Sequence, residues 1–314
     1  MVPSATGESL KFDKLSDSLS LPNLELVLSK GDPLVSKTGY FETILSLFEE
    51  HSFSNKEIPS AAISLYPDLN YELIADQFII HADPVYLRPD QDRLLAFDFF
   101  HSPLTNEESD IFSNSFNNHF KKDGLELITP STSHWYIKSK NSFNIKTHPL
   151  SNILGRNVDL FLPEGSDGLK WRSLINEIQM LFHSLPVNET RSSYGQWPVS
   201  GLWLSGGGFL PDIKPTGFDK ISGNCKFTEG LQAMAMEKNQ NNLIINRTME
   251  RAVLDANYDS WRTAILDLDM IIKNLNTSEL VIYFCDGRAW RWLPNMSRRF
   301  WKRRKNFEYF QNKN

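Results

Sequence analysis

Cysteine is nearly missing from this 314-residue sequence: only Cys225 and Cys285 occur. Two isolated thiols exclude a disulfide framework and a C-x-x-C metal clip, and they predict a reducing compartment. No apolar run approaches the roughly 20 residues that span a bilayer, so no membrane partner is expected. The opening stretch MVPSATGESLKFDKLSDSLSLP has neither a basic n-region nor a continuous apolar h-region. It therefore predicts no secretory leader and places the chain in the cytoplasm. H-E-x-x-H, the P-loop pattern and G-x-G-x-x-G are all missing, and no histidine follows His183. What is there is globular in proportion, with 40% hydrophobic and 23% charged residues, enough to bury a sizeable core.

Acid is missing from one place in particular. Between Gly287 and Phe307 there is none, while Arg288, Arg291, Arg298, Arg299, Lys302, Arg303, Arg304 and Lys305 supply eight cations. The whole chain carries 33 basic and 38 acidic residues, so the remainder is 25 minus 38, or −13. An acidic body argues against a general nucleic-acid coat. The basic run, with Arg298, Arg299, Lys302, Arg303 and Arg304 as its densest patch, reads in two ways. It is a basic helix docked on the chain's own acids, or, through the interleaved Trp290, Trp292, Phe300 and Trp301, a grip for phosphates and rings.

Along the chain, residues 1–20 lack periodicity and read as a loose arm, and 21–314 as a single α/β domain with a subdivision near 150 as the alternative. Tyr40, Phe41, Ile44, Leu45, Leu47 and Phe48 recur at helical spacing within 39–50. Val85 and Leu87 face Leu94, Leu95 and Phe97 across a Pro-Asp turn, which predicts a hairpin. Thr105-x-x-Glu108 is a capping box opening a helix that ends before Asp123-Gly124. Residues 125–129 and 135–138 read as a strand pair. Between 166 and 186, Trp171, Leu174, Ile175, Ile178, Leu181, Phe182 and Leu185 fall within an arc of about 120°, a core-facing helical stripe. Residues 199–204 and 279–285 read as buried strands, and 257–275 as a helix. The sum is an α/β fold, a mixed sheet flanked by helices.

Three sets of residues were candidates for chemistry. Arg172, Asn176, Gln179 and His183 line one face of the 166–186 helix and present a guanidinium, two amides and an imidazole, either to a polar ligand or to solvent. Gly206, Gly207 and Gly208 follow a strand, either as a cradle of bare N–H groups for an anion or as a tight turn. Phe209 and Leu210 follow where a P-loop needs its Lys, and Trp203 occupies the first glycine of a serine-hydrolase elbow around Ser205. Two acidic clusters could hold a metal, His81 with Asp83, and Asp90 with Asp92 and Asp98; His81 with Asp83 and Asp90 with Asp92 have the two-residue spacing at which strand side chains share an ion, but they flank Pro84 and Pro89, where turn residues are ordinary. Arg88 and Arg93 stand beside these acids as neutralising partners.

The segments HADPVYLRPDQDRLLAFD at 81–98, HF-x-x-DGL at 119–125, WRSLINEIQMLFHSLPVN at 171–188, R-x-x-x-G at 191–195 and PVSGLWLSGGGFLP at 198–211 resemble the bacterial RpfE-type regulatory proteins. That likeness runs with gaps over about 75–305. A shorter run of some 25 residues, PVNETRSSYGQWPVSGLWLSGGG, is similar to archaeal-type cofactor-independent phosphoglycerate mutases. The mutase resemblance implies an alkaline-phosphatase-like α/β sheet and, in that superfamily, two divalent metals on Asp and His ligands. The opening Asp-Gly motif and the late Asp-His of those mutases have no counterpart here; Asp286-Gly287 stands where Asp-His is wanted. The leading expectation is thus a non-catalytic regulatory protein without a cofactor, binding a phosphorylated small molecule or a protein partner. Asn188, Arg191 and Arg172 would hold the phosphate. One alternative is a phosphomutase or phosphoesterase using Mn or Mg on relocated ligands drawn from His81, Asp83, Asp90, Asp92, Asp267 and Asp269. The other is a nucleic-acid-associated regulator acting through the basic aromatic tail.

Overall fold

A computed structural model describes residues 19–48, 57–69, 74–212, 218, 220–234 and 241–311. The loose arm expected over 1–20 lies, up to residue 18, outside the described residues. In chain order the elements are α1 (Pro22–Lys30), β1 (Asp32–Thr38), α2 (Tyr40–Leu45), α3 (Ser60–Leu65), β2 (Phe78–Asp90) and β3 (Arg93–Phe97). There follow α4 (Asn106–His119), β4 (Leu125–Ser131), β5 (His134–Ser139), α5 (Gly168–His183), α6 (Pro186–Ser193), β6 (Gly201–Gly208), β7 (Lys220–Gly223) and α7 (Lys226–Met234). The chain closes with β8 (Asn242–Ile245), α8 (Thr248–Leu254), α9 (Tyr258–Asn274), β9 (Leu280–Tyr283), β10 (Asp286–Trp292) and α10 (Phe307–Gln311).

These elements form two compact units, one from the residues up to 50 and from 246 onward, the other from 51 to 245. Leu150, near which the sequence offers a subdivision, falls inside the second unit. Its sheet is antiparallel, ordered β3-β2-β5-β4 with β6 on β2, and the small β7–β8 pair is parallel. The fold is mixed α/β, as expected.

Period-two alternation decides which side chains face which helix layer. On one face Ile80, Ala82, Trp135, Ile137, Leu202 and Leu204 pack with Phe112 and Phe116 of α4 and with Trp171, Ile175, Ile178 and Phe182 of α5. The capping box holds: Thr105 Oγ1 accepts from Glu108 N at 3.2 Å and Glu108 Oε2 accepts from Thr105 N at 2.8 Å. On the other face Ile79 and Tyr136 pack with Ala61, Ala62 and Leu65 of α3. Gly230 of α7 lies so near α3 that a Cβ would collide with the Ile63 carbonyl. The three glycines do not follow a strand; they are the end of β6 itself.

In the other unit β1, β10 and β9 form an antiparallel sheet in that order, and Leu21, Leu24, Leu28, Trp261 and Ile265 centre a core joining α1 to α9. The basic run is not a helix: Arg288 and Arg291 lie on β10, and the residues from 294 to 306 are a 3-10 turn and loop. Strand residues 280–283 are half-buried rather than buried. No helix among the described residues is long and apolar enough to cross a membrane.

Candidate functional site

The polar residues of the second unit converge at Gly206, near the end of β6. Its φ of +63° is left-handed, which suits glycine. Its N–H reaches Thr147 Oγ1 at 3.0 Å and Glu57 Oε1 at 3.1 Å. Thr147 in turn donates its N–H to Glu57 Oε2 at 3.1 Å and its hydroxyl to Glu57 Oε1. A Cβ on Gly206 would overlap the Ser60 hydroxyl and lie 3.2 Å from Cδ2 of His81. Ser60, the first residue of α3, and His81, on β2, therefore sit side by side where β6 passes.

Strand register extends the seat across the sheet. His81 stands opposite Ser205 of β6 and Tyr136 of β5, and Asp83 opposite Trp203. The His81 and Tyr136 rings lie 5.2 Å apart. The Tyr136 hydroxyl is buried with no hydrogen-bond partner among the described residues. Burial, then Asp83, Asp68 and Glu229, push its pKa up, so it remains a neutral phenol and a donor. The seat thus brings the hydroxyl residues Ser60, Tyr136, Thr147 and Ser205 near the His81 imidazole and the Glu57 and Asp83 carboxylates, a set able to donate to and accept from a small polar ligand.

Glu57, Ser60, Tyr136 and Thr147 were invisible to the sequence reading. Glu57 meets Thr147 across 90 residues and Gly206 across 149, and no local motif marks such a meeting. Conversely, Arg172, Asn188 and Arg191 do not converge on a pocket. Arg191, 1% exposed, spends its guanidinium inside the protein. It donates to Trp197 O at 2.7 Å, to Ser102 O at 2.9 Å and to Glu108 Oε2 at 2.7 Å. Asn188 is buried too: its amide bonds Phe182 O and Val199 O, and its oxygen accepts from Val199 N. Arg172 donates to Pro163 O. Asn176 and His183 are exposed, whereas Gln179 packs against Gly201, so that face divides between solvent and the protein's own backbone.

Gly207 and Gly208 admit Phe78 and Pro59 rather than an anion, since a Cβ at either would strike those side chains. Asp90 and Asp92 are exposed at the hairpin turn, Asp92 at 3.8 Å from Arg93. Among the described residues no three His, Cys, Asp or Glu gather as a metal site. In the other unit Asp269 accepts from Asn23 N and Leu24 N at 2.8 Å and from Asn23 Nδ2 at 2.7 Å. Leu21 provides no side-chain cap for α1, and Asp269 supplies it from α9. Asp267 lies apart, lining a groove of about 610 Å³ with Asn246, Met270, Ile271, Asn274 and Leu275.

No family model matches the chain. It is 25% identical over 128 residues to a 2,3-bisphosphoglycerate-independent phosphoglycerate mutase of Methanosarcina mazei, a match covering 40% of this chain and 32% of that protein. The mutase of Methanosarcina barkeri is 21% identical over 188 residues, 59% of this chain and 45% of the relative. The chain spans about a third of the length of the first of these relatives. Among solved structures, the PH0037 protein of Pyrococcus horikoshii superposes with a TM-score of 0.50 at 12% identity, over 87% of this chain and 80% of that one. A cofactor-independent phosphoglycerate mutase of Thermoplasma acidophilum gives 0.41 at 12% identity, over 91% and 86%. The chain is a distant homologue of the archaeal cofactor-independent phosphoglycerate mutases, and the similarity extends well beyond the 25 residues that suggested it. None of these relatives is an RpfE-type protein; that likeness rests on the sequence motifs alone.

Proposed function

We propose that this chain is a non-catalytic regulatory protein of the RpfE type, acting in the cytoplasm by binding a small polar ligand or a partner on a phosphoglycerate-mutase-like scaffold. The observation that carries the reading is the employment of Asp269. As a relocated metal ligand its carboxylate would face an open site, yet Asp269 is buried and turned to the start of α1, where it accepts three N–H donors. His81, the other key member of that pool, packs on Tyr136 beside Ser60. The seat at Gly206 is where a ligand would be held. Phosphorylated three-carbon acids are the first to try, because the relatives are named for them.

The test uses the full, metal-stripped chain in thermal-shift titrations with phosphoglycerates, Mn²⁺ and Mg²⁺, beside a mutase turnover assay. A ligand present at about 100 times its dissociation constant adds roughly 2.7 kcal/mol to the folded state. The reading expects stabilisation by a phosphorylated acid without metal, lost in His81→Ala, and no turnover. A phosphomutase is the second reading, favoured by the adjacent Ser60 hydroxyl and His81 imidazole. Mn²⁺-dependent turnover abolished by His81→Ala would establish it and overturn the first.

A further inference from the structure

The basic run resolves into two populations. Arg288 pairs with Asp286 and Arg291 with Glu279, both at 2.6 Å. Arg299 and Lys302 share Asp32 at 2.5 and 3.0 Å, Arg304 meets Glu25 at 3.3 Å, and Lys305 lies over the Tyr309 ring. Docking within the protein thus accounts for six of the eight cations, five of them on its own acids and Lys305 on a ring. Arg298 and Arg303 remain, both exposed and with no ion pair among the described residues. Between them Phe300 is 87% and Trp301 66% exposed, their rings 5.2 Å apart at 86°.

The tip is held from below. Lys30 Nζ donates to the Arg299 and Lys302 carbonyls, Arg299 Nη1 donates to Lys30 O, and Lys302 Nζ donates to Gly31 O. The residues that point inward fix the loop, so those that point outward are presented without first being ordered, and preorganisation lowers the cost of binding.

We infer that Arg298, Phe300, Trp301 and Arg303 form a contact site for a short stretch of single-stranded nucleic acid. The outward order is guanidinium, ring, ring, guanidinium, which matches phosphate, base, base, phosphate. Arginine forks suit phosphate, and any unpaired base offers a face to an aromatic ring. Rings at 86° each take their own base, with the flexible strand turning between them; a duplex, whose bases are already stacked, cannot do so. The −13 charge of the rest of the chain confines contact to a few nucleotides. This site is independent of the seat at Gly206.

The test is fluorescence anisotropy of the full-length chain with labelled oligo(dT) of about ten nucleotides from about 25 to 200 mM salt. Binding should be saturable with a logarithmic salt slope of about −1.4, two phosphates' worth for a single strand. Phe300→Ala and Trp301→Ala should each weaken it roughly tenfold without moving the melting temperature, since both side chains are exposed. Arg298→Gln and Arg303→Gln should each flatten the slope by about 0.7. No binding at low salt, aromatic variants that bind like the parent, or equal affinity for the matching duplex would each overturn the inference. So would binding to phosphatidylglycerol vesicles through these residues without binding to the oligonucleotide.

Discussion

Replacing Arg191 by methionine keeps most of the side chain's volume and deletes its charge. Removing one partner of a buried ion pair costs about 3–5 kcal/mol, because the other charge is left without compensation. Glu108, whose side chain is 16% exposed, still accepts the Thr105 N–H, so it retains some solvent and one donor. That places the ionic part near 3 kcal/mol. The Ser102 and Trp197 carbonyls lose their donors, adding about 1 kcal/mol each, for a total of about 5 kcal/mol. Urea unfolding of wild type, Arg191→Met, Glu108→Gln and the double variant gives the quantity directly. The double variant should recover about 2 kcal/mol relative to additivity, since no charge is stranded in it. A loss below about 1 kcal/mol would refute the reasoning, because that is the scale of a surface residue. It would restore Arg191 as an outward-reaching ligand group.

Gly206→Ala should cost about 2 kcal/mol or more, from the left-handed φ and the overlap with the Ser60 hydroxyl; Ser60→Ala on that background should return part of it in the same unfolding assay. Asp269→Ala should destabilise by about 1–3 kcal/mol through unsatisfied N–H groups at the start of α1, and hydrogen exchange should speed at Asn23 and Leu24. Arg299 and Lys302 hold the Asp32 carboxyl at about 2, below the ordinary carboxylate value of 3.8. Its contribution is therefore complete above about 4 and disappears as pH falls through about 2. Asp32→Asn should melt with a shallower pH dependence across that window, and identical slopes would contradict the pairing.

Local signals were legible wherever a single element carried its own instruction. Thr105 and Glu108 announced α4, the stripe from Trp171 to Phe182 announced α5, and the helix read over 257–275 is α9, with Asn257 as its cap. The hairpin of β2 and β3 and the pair β4–β5 followed from alternation. What was missed needed tertiary partners. α1 lacks a local cap and borrows one from Asp269. β1 takes its partner from β10, Asp32 opposite Arg291. Arg191 and Asn188 were identified as polar residues in a suggestive motif, but polarity alone cannot distinguish a group aimed at a ligand from one that ties a loop to the interior. The basic run was read as a helix from charge, although Trp290 and Trp292 alternate with Arg291 in the strand pattern.

The discontinuous unit has a consequence for synthesis. Residues 51–245 emerge from the ribosome as one stretch and hold all the partners of their own sheet, so that unit can fold while the chain is still being made. The segment up to 50 is made before it, yet must wait for α9, β10 and the loop after Met296, which are made after it. Until then Leu24 and Leu28 of α1 have no core to enter and β1 has no strand partner. Closing the loop over an already folded insert costs less entropy than closing it over a free coil of the same length. The topology thus predicts an order of folding, residues 51–245 first and the unit built from the flanking segments afterwards.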